Sequence, residues 1–94
     1  MSFTPGTGTY LTIFSTTVSS STPPAAVDIS LFSNNAQITH TERTVILNVS
    51  PQDIPMATNA IITVTGGQAI DVRWKTSAGT ATMYERTLNL VKIA

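Results

Sequence analysis

Between residues 70 and 75 the chain reads Ile-Asp-Val-Arg-Trp-Lys, with Ile70, Val72 and Trp74 on one parity and Asp71, Arg73 and Lys75 on the other. Side chains alternate this way only on an extended strand, so the stretch has one face for a core and one for water. Apolar runs from Ala60 to Val64 and from Leu88 to Ile93 flank it, set apart by Gly66-Gly67 and by Ser77-Ala78-Gly79. Those small residues turn a chain and do not extend it. No run of ten residues keeps the helical period. A chain patterned like this folds as all-β.

Upstream the same period recurs. Thr9 to Ser19 places Leu11 and Ile13 on one face until Phe14 and Val18 fall on the other. A bulge near Phe14 and Ser15, or a strand that changes sheets, accounts for the slip. Ser19 to Pro24 is a loop, because paired prolines cannot continue a ladder. Ala26 to Phe32 alternates, with Val27, Ile29 and Leu31 together, and Ser33-Asn34-Asn35 turns the chain. Gln37 to Thr44 is polar enough for an edge strand, with Glu42 and Arg43 discouraging foreign pairing. Val45 to Val49 is a short strand, and Ser50 to Met56, with Pro51 and Pro55, is the longest irregular loop. Thr80 to Glu85 reads as a polar strand or extended link. Seven or eight short strands at turn spacings of about 8–12 residues describe a β-sandwich. The expected core is Leu11, Ile13, Val27, Ile29, Leu31, Ile62, Val64, Ile70, Val72, Trp74, Leu88 and Leu90.

Composition decides which functions remain. Nine Ser and 17 Thr among 94 residues suit pleated, half-exposed surfaces. Charged residues are only 11% and the formal net charge is zero, so there is no basic stripe to neutralise phosphates and nucleic acid is a poor partner. A neutral surface also gives little repulsion between copies, which points to self-association. No apolar run approaches the roughly 20 residues of a membrane-spanning helix, and no signal peptide is visible after Met1. Without cysteine there is neither a disulfide nor a thiolate metal site.

Catalytic constellations are poorly served. His40 is the only histidine, and no G-x-S-x-G context accompanies it. One His and no Cys cannot close a zinc site, and Asp28, Glu42, Asp53, Asp71 and Glu85 are scattered singly. No cofactor is expected, and the chain does not read as an enzyme. Trp74 shares its parity with Ile70 and Val72, so it reads first as core, with a sugar-stacking platform as the lesser alternative.

Two stretches, G-T-Y-L-T-I-F-S-T-T-V-S-S (residues 8–20) and I-T-V-T-G-G-Q-A-I-D-V-R-W-K-T-S-A-G-T-A-T-M-Y-E-R-T-L-N-L-V-K-I (residues 62–93), carry a resemblance. They are similar to the short jelly-roll modules of phage and bacterial virion and fibre proteins, related to the tumour-necrosis-factor and complement globular-head superfamily. Ser77-Ala78-Gly79 stands where that pattern has a double glycine. The resemblance covers nearly the whole chain and is weakest from Pro51 to Pro55. It implies a two-sheet jelly roll in residues 9–94, preceded by an arm in residues 1–8, assembled as a homotrimer.

With Met1 only eight residues before the first strand, no stalk is expected, which favours a free-standing trimer on a pre-existing lattice. The implied role is a capsid decoration (cement) protein on a phage virion, partnered by copies of itself and by the capsid lattice. The alternative is a receptor- or glycan-binding head of a fibre. Under the trimer reading, Asp71, Arg73, Lys75, Glu85 and Arg86 are candidates to fix subunit register. The plainer reading of the same residues is a solvated strand face. Phe3, Thr4 and Pro5 in the arm, and Gln52, Asp53 and Ile54 in the long loop, are candidates for capsid contact.

Overall fold

The computed structural model describes residues 1–49 and 52–94 and is all-β, two antiparallel sheets packed face to face. The strands are β1 (Ser2–Phe3), β2 (Gly8–Ser20), β3 (Ala25–Ser33), β4 (Ala36–Gln37), β5 (Arg43–Leu47), β6 (Ile54–Val64), β7 (Ile70–Thr76) and β8 (Ala81–Lys92). The larger sheet runs β1-β7-β3, with β4 and β5 both paired along the far side of β3; the smaller runs β6-β2-β8. The chain changes sheets between β1 and β2, β2 and β3, β5 and β6, β6 and β7, and β7 and β8. Ser77 to Gly79 therefore do not close a local hairpin. That connection crosses the sandwich instead.

The β3–β4 hairpin is made by Asn34 (φ 51) and Asn35 (φ 65), whose paired left-handed conformations match the twist of antiparallel strands. The return along β3 is broken, so Gln37 to Thr44 is not one edge strand. The chain leaves the ladder after Gln37, passes His40 at φ 68, and rejoins at Arg43. Thr41 bridges the gap from a buried position. Its hydroxyl accepts the Leu31 N–H at 3.1 Å and donates to the Ile38 carbonyl at 2.8 Å, supplying the bond a missing strand would have made.

Between the sheets, Phe14, Val18, Val27, Ile29, Leu31, Leu47, Met56, Val72, Met83 and Leu88 form the main core. A second cluster of Tyr10, Ile62, Val64 and Ile70 fills one end. Trp74 and Leu90 are partly buried against the main cluster. Leu11 and Ile13 need correction as core residues: they point to the outer face of the smaller sheet, where Ile13 is 41% exposed. β2 keeps one parity throughout, with Tyr10, Thr12, Phe14, Thr16 and Val18 inward. The bulge is real but lies on the partner strand. Ser15 pairs with Thr87 and Thr17 with Tyr84, so Glu85 and Arg86 together face Thr16 alone. Thr16 turns its hydroxyl to the Tyr84 carbonyl at 2.8 Å, satisfying a carbonyl beside the break.

Two further boundaries differ from the sequence reading. β8 is a single strand across the bulge, where the sequence suggested two pieces. β6 begins at Ile54, inside the expected loop, because Pro55 pairs with Thr17 on a sheet edge where its missing N–H is not needed.

Candidate functional site

β7 carries Asp71, Arg73 and Lys75 on the outer face of the larger sheet, opposite Phe32, Ser30 and Asp28 of β3 respectively. This register makes a compact polar cluster. Lys75 Nζ lies 3.7 Å from Asp28 Oδ2, and the other Asp28 oxygen accepts a hydrogen bond from the Thr44 hydroxyl. Arg73 Nε donates to Asp71 Oδ2 at 2.7 Å and Nη2 donates to Asn35 Oδ1 at 2.9 Å. The Arg73 guanidinium also sits 4.1 Å from the centroid of the Phe32 ring, a cation–π contact that fixes the side chain over the sheet.

Asp28, Ser30, Gln37, Glu42 and Lys75 join Arg73 around an open cleft of about 110 Å³. Ser30 forms its buried floor, and among the described residues the Glu42 carboxylate makes only a long contact, 3.5 Å, with the Gln37 amide. The cleft offers donors from Arg73, Lys75 and Gln37 and acceptors from two carboxylates. It suits a small polar group and contains no nucleophile held by a base. His40 lies outside it, exposed, and among the described residues only its backbone carbonyl is engaged, by Arg43 Nη1 at 2.9 Å. No three His, Cys, Asp or Glu side chains among the described residues converge as a metal site.

Glu85 and Arg86 are not part of this cluster. They lie on the other sheet at the β8 bulge, and Arg86 reaches back toward the Trp74 ring at 5.6 Å. Within one chain, then, neither Glu85 nor Arg86 pairs with the β7 charges among the described residues. Asp28 supplies the partner for Lys75, a contact the sequence could not reveal because β3–β7 register is set by the whole fold.

The candidate lattice contacts also fall apart spatially. The arm is more ordered than its composition suggests: Ser2 pairs with Asp71 and Phe3 with Ile70, and the Met1 carbonyl accepts the Val72 N–H at 3.1 Å. Tyr10 donates its hydroxyl to the Pro5 and Gly6 carbonyls at 3.0 and 3.2 Å. Phe3 stays 46% exposed beside Thr4 and Pro5, over a cleft of about 320 Å³ shared with Tyr10 and Leu90. Gln52, Asp53 and Ile54 sit at the opposite end of β2, where Ile54 pairs with Val18 and the Gln52 side chain accepts the Asn48 N–H at 3.1 Å. Ser50 and Pro51, also in the expected contact loop, lie outside the described residues. Tyr10, which the arm packs against, and Val18, which pairs with Ile54, lie eight residues apart on β2, about 27 Å at the usual rise per strand residue. A single small contact cannot include both.

Sequence reasoning missed one surface. The outer face of the smaller sheet carries the row Ile61–Leu11–Val91, and beside it Asn59–Ile13–Asn89 and Ala57–Ser15–Thr87. Thr9 and Thr63 join hydroxyls at 2.9 Å at one end of the face. Ile61 is 65% and Val91 54% exposed, and none of these rows contains a charge. The signal was present in β2, where apolar residues occupy both parities; that pattern belongs to a strand covered on both sides.

Comparison with known proteins gave no match: no family model, no curated protein and no solved structure.

Proposed function

We propose that the chain is a structural, self-assembling protein: a homotrimeric jelly-roll decoration protein that binds and stabilises the outer surface of a phage capsid. One observation carries the self-assembly. The chain has ten charged residues, yet the Ile61–Leu11–Val91 face of the smaller sheet has none in its rows and exposes several large aliphatic side chains. A face of that kind gains by being covered. The adjacency of the long strands β2 and β8, and the repeated crossings between sheets, support the jelly-roll description. The virion setting rests on the resemblance of residues 8–20 and 62–93. A rigid trimer touching several shell subunits at once would turn weak contacts into stable occupancy through effective concentration.

Light scattering on a sizing column tests the assembly: the expected mass is a whole multiple of three chains of 10.0 kDa, persisting on dilution. A stable single-chain mass would remove the trimer and most of the decoration reading with it. For the lattice contact, Phe3→Ala is preferable to removal of residues 2–7, because that deletion also strips the carbonyls that receive Tyr10. The variant should fold and assemble normally but occupy capsids less fully. Unchanged occupancy would rule out the arm as a contact.

The cleft around Asp28, Glu42, Arg73 and Lys75 favours a second reading, the glycan-binding head of a fibre, since it pairs hydrogen-bond donors and acceptors on an open face. Binding of the isolated protein on a glycan array, lost in Glu42→Ala, is the result that reading requires.

A further inference from the structure

Sheet edges expose unpaired backbone groups, and folded proteins protect them with charge, bulges, short strands or a covering segment. Most edges here are protected. β7 is overlaid by β1 and by the Met1 carbonyl along Ile70 to Val72, and it carries Arg73 and Lys75 beyond them. β5 is only five residues long and begins at Arg43, next to Glu42. β8 is broken by its bulge at Glu85 and Arg86. β6 is different. It runs eleven residues, pairs among the described residues only with β2, and contains no charged residue from Ile54 to Val64. Its single deterrent is Pro55, at the second position.

We propose that β6 is a self-association edge: two copies of the chain pair β6 to β6, antiparallel about a two-fold axis, joining two three-stranded sheets into one of six strands. The occupant is a second copy because a strand related to itself by a dyad is self-complementary, and an uncharged strand meets no repulsion in doing so. Nine residues, Met56 to Val64, make about eight to ten inter-strand hydrogen bonds in an antiparallel pair, close to the roughly ten of a standard protein interface. This contact is isologous and stands independently of a threefold contact, which joins two different patches. Alone it produces a pair of chains; combined with a trimer it produces six.

The test uses single cysteines on the outward side of β6, at Ala57, Asn59, Ile61 and Thr63, with Ile13 and Asn89 on the neighbouring strands as controls. The native chain has no cysteine, so each variant carries one thiol. Pairing Met56 to Val64 with itself puts the dyad at Ala60, so Asn59 faces Ile61 and Ala57 faces Thr63 of the second copy within the roughly 4.4–6.8 Å Cα separation a disulfide allows. Mild oxidation of mixed Asn59→Cys and Ile61→Cys chains should therefore link them at least about tenfold more than mixed Ile13→Cys and Asn89→Cys chains. Light scattering on the native chain should give a mass of two or six chains. Absent linking of the β6 pair, or equal or stronger linking of the Ile13 and Asn89 pair, would overturn the edge contact. So would a native mass of one or three chains. Three would leave the trimer standing without the edge; two would leave the edge without the trimer.

Discussion

Four threonines lie buried in the sandwich, and their hydroxyls do not share one fate. Thr58 donates to the Thr41 carbonyl at 2.6 Å, Thr16 to the Tyr84 carbonyl, and Thr41 bridges Leu31 and Ile38. Each closes a gap where the ladder is interrupted. Thr12 is fully buried, and among the described residues its hydroxyl has no partner. Removing a buried hydroxyl that makes no bond should relieve part of its desolvation cost, whereas removing one that makes a bond strands the acceptor. Thr12→Val should therefore stabilise the fold by about 1 kcal/mol and Thr58→Val destabilise it by about 1–3 kcal/mol. Urea titrations with unchanged slope would measure both. A loss of stability in Thr12→Val would mean that its hydroxyl is satisfied after all.

At the scale of elements, the strands that were plain in the sequence are those whose two faces differ. Ile70 to Lys75 and Val27 to Leu31 each put apolar residues inward and polar or charged ones outward, so pattern and fold agree. β2 was misread because threonine is ambiguous: Thr12 and Thr16 face the core while Leu11 and Ile13 face out, inverting the expected parity. The loop that interrupts β4 and β5 was hidden for a related reason, since its driving contact is a single hydroxyl reaching Leu31 ten residues away. The β7–β8 connection was legible as a turn, though its tightness was not. Gly79 has φ 62, and a Cβ there would lie 2.5 Å from both Ser21 Oγ and Thr22 Oγ1 of the β2–β3 loop. Gly79→Ala combines a left-handed conformation with this collision, so it should cost more than the roughly 1–2 kcal/mol of the conformation alone. A drop in urea midpoint corresponding to less than that would show that the two loops can separate freely.

Viewed as a whole, the molecule is an elongated prism, 43 × 20 × 19 Å, with its chemistry sorted onto opposite sides. The larger sheet shows Asp28, Asp71, Arg73 and Lys75 on its outer face, with Glu42 at the rim, and the smaller shows the uncharged rows around Leu11 and Ile13. The alternation at Ile70 to Lys75 revealed the polar side, but not that Asp28 and Glu42 would join it, because those meetings depend on register between distant strands. This sorting yields two incompatible expectations for how copies associate. If the β7 charges set subunit register, raising the salt from about 0.05 to 1 M shortens the Debye length from roughly 14 to 3 Å and weakens assembly. The structure weighs against dependence on those charges, since Arg73 already engages Asp71 and Asn35, and Lys75 lies near Asp28, within one chain. Such exposed pairs contribute about 0–1 kcal/mol each and leave little attraction for a neighbour. Association through the uncharged side should instead hold or tighten with salt, most of all with sulfate, which favours burial of apolar surface. The Ile61→Lys variant should lose oligomer mass at every salt concentration, while Lys75→Ala should keep it. Dissociation of the native protein in 1 M sodium chloride, with Ile61→Lys still assembled at low salt, would transfer the interface to the charged side.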